Sequence, residues 1–204
     1  MKAGTKAGKK PAVFLDRDGT LMPDLGYLGD PKKVKLYKGT AEALKILRRE
    51  GFYLFVVTNQ SGVARGYFPE SSVKAVHRKL QNLLKAKGAR IDAFFYCPHY
   101  KEGKAKRYVK VCDCRKPKPG MVKQALRKYP VDLKHSYGVG DKVDDLQLAR
   151  NAKLAKGFLV RTGNGRASEK KLKISPLAKS RVVSDLLQAA QFILEEKEKR
   201  KNHD

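Results

Sequence analysis

The chain has 204 residues, 41% of them hydrophobic, which suits one domain with a sizeable buried core and excludes disorder over most of its length. Its 46 Lys and Arg against 20 Asp and Glu leave a net charge of +26, a surface that attracts anions of any kind. No apolar run approaches the ~18 residues of a membrane span, and three cysteines do not make a disulfide framework.

Residues 1–10, "MKAGTKAGKK", are basic and lead into no apolar segment of signal-peptide type, so a disordered tail on a cytoplasmic protein is expected. "PAVFLD" then reads as a buried strand. "GTAEALKILRRE" places Ala41, Leu44 and Leu47 on one helical face, and "GFYLFVVTN" is a second buried strand. After the loop "QSGVARGYFPE", Ser71 or Ser72 is expected to cap a helix carrying Val73, Val76, Leu80 and Leu83 on one side. "IDAFFYC" is a third strand, followed by a long basic loop without periodicity. Pro119 and Gly120 punctuate the start of the helix "PGMVKQALRKY". "HSYGVGD", "DDLQLARNA" and "KGFLVRTG" read as strand, helix and strand. A last helix from about Ser184 bears Leu187, Ala190, Ile193 and Leu194, then frays into "EEKEKRKNHD". His77, His135 and His203 are expected at the surface.

Alternation of continuous apolar strands with helices predicts an α/β fold, a single Rossmann-like parallel sheet covered by helices on both faces. It spans residues 11–195, with 196–204 as a charged tail. In such sheets the ligand site lies beyond the carboxyl ends of the strands, and the polar residues fall there. Strand one ends in Asp16, Arg17, Asp18, Gly19 and Thr20; strand two ends in Thr58, Asn59, Gln60 and Ser61. The strand near residue 140 ends in Asp141, with Lys142, Asp144 and Asp145 following, and Arg115 and Lys116 precede "PGM".

These side chains form a set suited to metal-assisted phosphoryl transfer. A few carboxylates suit Mg²⁺, which keeps several waters and binds substrate phosphate. The ion also relieves the repulsion between Asp16 and Asp18, which strand alternation puts on the same side. One carboxylate can attack phosphorus while the other handles the leaving-group proton. Gly19 permits a tight turn that brings backbone N–H groups to an oxyanion. Lys116 and Thr58 would hold the equatorial oxygens, where the charge of the transition state spreads.

"CPHYKEGKAKRYVKVCDC" offers Cys97, His99, Cys112 and Cys114 in two tight pairs. That Cys₃His set is the ligand set expected of a closed tetrahedral zinc site with no open position for water, the alternative being three free cysteines and a surface histidine. The ion would staple the loop over residues 97–115, which otherwise lacks a core, and deliver Arg115 and Lys116 to the sheet edge. The C-x-H spacing is shorter than in finger motifs, which argues against a DNA-binding finger.

"FLDRDGTL", "VVTNQSGVARGYF" and "GVGDKVDD" resemble the motifs of the haloacid dehalogenase (HAD) superfamily of phosphohydrolases, a likeness that covers residues 11–165. The resemblance implies Asp16 as nucleophile, Asp18 as general acid and then base, Thr58 as the second-motif hydroxyl and Lys116 as the phosphate-binding lysine. It implies Mg²⁺ held by Asp16, the backbone carbonyl of Asp18, and Asp141. The motif spacings leave no room for a large cap domain. The zinc loop with "CRKPKPGM", "DLGYL" and "VRTGNG" is similar to the heptose bisphosphate phosphatases, which remove the 7-phosphate of D-glycero-D-manno-heptose 1,7-bisphosphate. That likeness implies substrate contacts from Asp24, Leu25, Gly26, Tyr27, Thr58, Asn59, Gln60, Ser61, Arg65, Arg115, Lys116 and Lys142. Members of the family need not be so basic, and the C-terminal "EEKEKRKNHD" matches no part of the family pattern.

The expected partner is a small phosphorylated sugar, bound by a monomer, with no membrane contact. Histidinol phosphate is an alternative substrate, although its phosphatases have a shorter loop between the ligand pairs. The +26 charge keeps a polynucleotide 3′-phosphatase in view, and outside enzymes a basic zinc protein that binds nucleic acid. Against the latter, a pure phosphate binder gains nothing from carboxylates in its site, and no aromatic-rich basic stripe is present.

Overall fold

The computed structural model describes residues 8–201; residues 1–7 and 202–204, with His203 and most of the expected N-terminal tail, lie outside the described residues. Strand β1 (Ala12–Leu15) leads to helix α1 (Thr40–Arg49) and strand β2 (Tyr53–Asn59). The one-turn helix α2 (Gly62–Arg65) and helix α3 (Glu70–Lys85) connect to β3 (Ala93–Cys97). The basic loop holds a single 3₁₀ turn, Lys106–Tyr108, before α4 (Gly120–Leu126). Then follow β4 (Tyr137–Gly140), α5 (Val143–Asn151), β5 (Lys156–Val160), α6 (Gly165–Ile174), β6 (Ser180–Val183) and α7 (Leu186–Lys201).

All six strands run parallel, in the order β3-β2-β1-β4-β5-β6. The winding reverses between β1 and β4, which opens a crevice at their carboxyl ends. Side-chain alternation divides the core in two. Val13, Leu15, Leu54 and Val56 face one layer with residues of α1, α3 and α7. Ala12, Phe14, Phe55 and Val57 face the other, with α4 and α5. Strands buried on both faces need no polar alternation, which is why they read as continuous apolar runs. Among the described residues no helix is long and apolar enough to cross a membrane.

Several elements differ from the sequence expectation. Helix α3 begins at Glu70 behind Pro69, with Ser71 and Ser72 inside its first turn rather than capping it. Pro69 sets an extended φ of −72° before the helix and Glu70 puts negative charge in its first turn. Leu84, not Leu83, completes the buried face, four residues after Leu80. Helix α6 and strand β6 were not anticipated. "GRASEKKLKI" buries only Gly165, Ser168 and Leu172, and β6, an edge strand, buries only Val183. Helix α7 does not fray at residue 196. Lys197 Nζ donates to the carbonyl and carboxylate of Glu50, both at 2.8 Å, and Arg200 reaches the Tyr137 hydroxyl. At the other end, Lys10 already belongs to the fold, its N–H bonding Pro130 O at 2.9 Å.

His77 is not at the surface. It lies one turn after Val73 on the buried side of α3, stacked on Phe94 with ring centroids 4.7 Å apart. His135 is exposed and pairs with Asp132 at 2.6 Å. Burial, and then the charge of Arg17, push the His77 imidazole down to about 3. The unfolded chain therefore takes up a proton near pH 6.5 that the folded chain refuses until about 3. Stability is full above the unfolded value and falls as pH drops through that window. At pH 5 the loss is about 2 kcal/mol. Urea unfolding at pH 7.5 and pH 5 should show that much extra acid destabilisation in the parent chain relative to His77→Phe; equal acid losses would contradict it.

Candidate active site

The carboxyl ends of β1 and β4 carry a cluster of buried charged side chains. Asp16 follows β1 directly, its N–H bonded to Val139 O of β4 at 2.8 Å. Asp141 follows β4, and Asp145 sits in the first turn of α5. Asp16, Asp141 and Asp145 each offer a carboxylate oxygen within 4.8 Å of the others, and all three are buried. Lys116 reaches the cluster from the zinc-type loop, with Nζ 2.7 Å from Asp16 Oδ1 and 2.5 Å from Asp145 Oδ1. Burial opposes its charge, but Asp145 and Asp16 hold the ammonium well above the usual lysine range. Its third N–H goes to Val57 O at 2.9 Å, so all three donors are spent on protein groups.

One ammonium leaves three carboxylates under-compensated. Burial first, then Asp16, raises the Asp141 carboxyl to about 6. Burial raises Asp145 to about 7 against the pull of Lys116, with smaller upward pushes from Asp16 and Asp141. Asp145 is nonetheless fully engaged, since its other oxygen accepts from Lys142 N at 3.0 Å. Asp141 Oδ2 accepts from Asn164 N at 2.7 Å and Nδ2 at 3.1 Å, whereas its buried Oδ1 has no partner. An unpartnered buried carboxylate oxygen beside a second carboxylate is a donor set that fits a hard divalent cation. Gly19 closes over this space at φ +83°, and a Cβ there would fall 2.1 Å from Asp141 Oδ2. Only glycine accommodates both demands.

Asp18 is turned away from this cluster, into a separate buried network. Arg17 Nε and Nη2 grip both its oxygens, and Gln60 Nε2 donates to Oδ2 at 2.9 Å and to Thr58 Oγ1 at 2.9 Å. Burial raises the Asp18 carboxyl against the opposing charge of Arg17. Above it opens a cleft of about 370 Å³ whose walls include Tyr27, Ser61, Arg65, Tyr100, Arg115 and Lys142. Arg65 and Arg115 stack on Tyr100 at 4.1 and 4.9 Å, which presents two guanidiniums along one wall. Asp24 is committed as a strap, accepting from Lys142 Nζ, Asn164 Nδ2 and Gly26 N. Leu25 is exposed and lies outside the cleft lining. Asn59 lines the cleft but spends its amide on both sides of the Lys116 backbone, at 3.0 and 3.2 Å. A larger, open groove of about 550 Å³ runs along β3 and holds none of these carboxylates.

Asp145, Asn164, Tyr100 and Arg17 are the site residues that residue-by-residue reading left without a role. Asp145 had a signal, as a carboxylate one helical turn past Asp141. Asn164 lies within the "VRTGNG" segment, which marked the stretch but no role for the residue, and Tyr100 had no signal, because a loop of unknown path brings it in.

The cysteine loop folds as its spacing implies. Cys97, His99, Cys112 and Cys114 place their ligand atoms within 4.8 Å of one another. Sulfur–sulfur separations are 3.4 Å for Cys97–Cys112 and 3.2 Å for Cys112–Cys114. His99 Nδ1 lies 3.8 Å from Cys97 Sγ and 3.3 Å from Cys114 Sγ. A tetrahedron with bonds of about 2.3 Å has edges of roughly 3.8 Å, so the four groups fit zinc with small adjustments. Arg115 ties this loop to the cleft, donating to His99 O at 3.4 Å.

Residues 113–189 match a protein-family model described as HAD-hydrolase-like. The D-glycero-β-D-manno-heptose-1,7-bisphosphate 7-phosphatase of Pasteurella multocida (strain Pm70) is 45% identical over 154 residues, 76% of this chain and 83% of its own. The protein of that name from Escherichia coli (strain K12) is 42% identical over 153 residues, 75% of this chain and 80% of its own. The crystal structure of D,D-heptose 1,7-bisphosphate phosphatase from B. bronchiseptica, complexed with magnesium and phosphate, matches with a TM-score of 0.79 at 36% identity. That match covers 91% of this chain and 99% of the other. The chain therefore belongs to the heptose bisphosphate phosphatase family of HAD-like hydrolases.

Proposed function

We propose that this chain is a Mg²⁺-dependent phosphatase that removes the 7-phosphate of D-glycero-D-manno-heptose 1,7-bisphosphate through an aspartyl-phosphate on Asp16. The single observation that carries this reading is a buried carboxylate cluster with an unpartnered Asp141 oxygen, next in the chain to Lys142, which with Asp18 lines a cleft that also bears Arg65 and Arg115. The names of the relatives at 42–45% identity support the substrate.

Mg²⁺, held by Asp16, Asp141 and the backbone carbonyl of Asp18, would supply positive charge against the phosphate oxygens. Asp16 then attacks phosphorus as the bond to the sugar oxygen breaks, and Asp18 gives that oxygen its proton. In the second half, the Asp18 carboxylate takes a proton from water whose oxygen attacks phosphorus. The bond to Asp16 breaks, inorganic phosphate leaves and Asp16 is restored. Thr58 contributes a hydroxyl beside the transferred group. Lys116 acts by charge and by orienting Asp16, since its donors are engaged there. Arg65, Arg115 and Lys142 would receive the second phosphate of the substrate, with Tyr27, Asn59, Gln60 and Ser61 along the cleft and Asp24, Leu25 and Gly26 in the loop that frames it. Zn²⁺ held by Cys97, His99, Cys112 and Cys114 would be structural, fixing the segment that presents Arg115 and Lys116.

A phosphatase panel of both heptose bisphosphate anomers, histidinol phosphate and a 3′-phosphorylated oligonucleotide tests the reading. Turnover should be highest on a heptose bisphosphate and vanish without Mg²⁺; preference for the oligonucleotide would overturn the substrate assignment. Asp16→Asn should cut kcat by at least about 10³-fold while the melting temperature stays within a few degrees. Elemental analysis should find one zinc per chain, lost in Cys112→Ser along with much of the activity; unchanged zinc in that variant would contradict the ligand set.

A further inference from the structure

Among the described residues Arg17 is the largest side chain with no exposure to solvent, and in sequence it separates Asp16 from Asp18. A buried guanidinium is costly unless charge and hydrogen bonds answer it. Here they are answered mainly by one group. Nε lies 3.2 and 3.1 Å from the two oxygens of Asp18, and Nη2 lies 3.0 Å from Oδ1 and 2.9 Å from Oδ2. Nη2 also donates to Gln60 Oε1 at 3.0 Å, and Gln60 Nε2 returns to Asp18 Oδ2 at 2.9 Å. The three side chains thus close a ring of hydrogen bonds around one carboxylate. Nη1 is left buried with no partner, so the fork is turned to serve Asp18 and Gln60 at the expense of its own satisfaction. Arg17 does not line the cleft, which leaves it no surface on which to meet substrate.

We infer that Arg17 is a positioning residue: its planar fork, with Gln60 as second tether, fixes the Asp18 carboxylate in the orientation from which it protonates the departing oxygen. This rests on the proposed role of Asp18. A carboxylate on one strand end has two side-chain torsions to lose, and four contacts from a guanidinium remove both. Lysine preserves the charge but offers a point contact in place of the fork. The consequence is selective. An alkyl phosphate releases a strongly basic alkoxide and needs the proton, a contribution of about 10²–10⁴-fold. 4-Nitrophenyl phosphate releases a stable phenolate and needs it far less.

The test compares kcat on the heptose bisphosphate with kcat on 4-nitrophenyl phosphate in the full chain with Mg²⁺, for the parent, Asp18→Asn, Arg17→Lys and Gln60→Met, with thermal melts of each. The expected result is an alkyl-to-aryl ratio lowered about 30-fold or more by Arg17→Lys and about 3- to 10-fold by Gln60→Met, in the same direction as Asp18→Asn. A role confined to stability would lower both substrates by the same factor, and that result alongside a selective Asp18→Asn would overturn the inference alone. A parent chain inactive on both substrates would instead overturn the phosphatase reading, and a non-selective Asp18→Asn would overturn both. Gln60→Met carries the test if Arg17→Lys does not fold.

Discussion

Like charges forced together at one end of the sheet are the constraint that organises this molecule. Asp16, Asp141 and Asp145 share a buried space because β1 and β4 are neighbours and both end there. Removing one member of a buried ion pair typically costs about 3–5 kcal/mol, so the site must be compensated from the side. Lys116 is the resident answer, held by Asn59 through its backbone and by Val57 O through its ammonium. Burial, with the remaining like-charge imbalance added to it, raises the carboxyls of Asp141 and Asp145, and one Asp141 oxygen stays unpartnered. A divalent cation held there would answer all of these at once.

Division of labour follows from the same geometry. The buried carboxylates and Lys116 form one unit; Asp18, Arg17, Gln60 and Thr58 form a second, one strand end apart. The first has its negative charge in excess, and the second is close to neutral. Separate networks give the two aspartates at positions 16 and 18 different partners despite their proximity, Lys116 for one and Arg17 with Gln60 for the other, and different surroundings are the general means by which paired carboxylates take different roles. The cysteine loop supplies the cleft wall that a sheet edge lacks. Tyr100 and Arg115 both lie in the segment that the four metal-type ligands hold, and Arg65 stacks onto it from α2.

Much of this was legible in the linear chain. Parallel strands announced themselves because burial on both faces makes them continuously apolar, and their last residues mark the site by topology alone. Tight pairs of cysteine and histidine are equally plain. What escaped has physical reasons. Helix α6 is dense in charge with one buried leucine, and β6 is an edge strand half open to water, so neither shows a clean period. His77 looked like a surface residue because its burial is decided by Phe94, seventeen residues on and in another element. Arg17 carried no assigned role, because only side-chain geometry shows that its guanidinium is committed to Asp18. Asn59 and Asp24 looked like substrate ligands, and their polar atoms prove to be engaged in holding Lys116 and Lys142.

Diffraction from crystals soaked in Mn²⁺, recorded for its anomalous signal, addresses the organising idea at its source. One peak is expected within coordination distance of the carboxylates at positions 16 and 141 in the parent chain, and no peak there in Asp141→Asn. An empty crevice at millimolar Mn²⁺, or an ion bound away from both carboxylates, would contradict it.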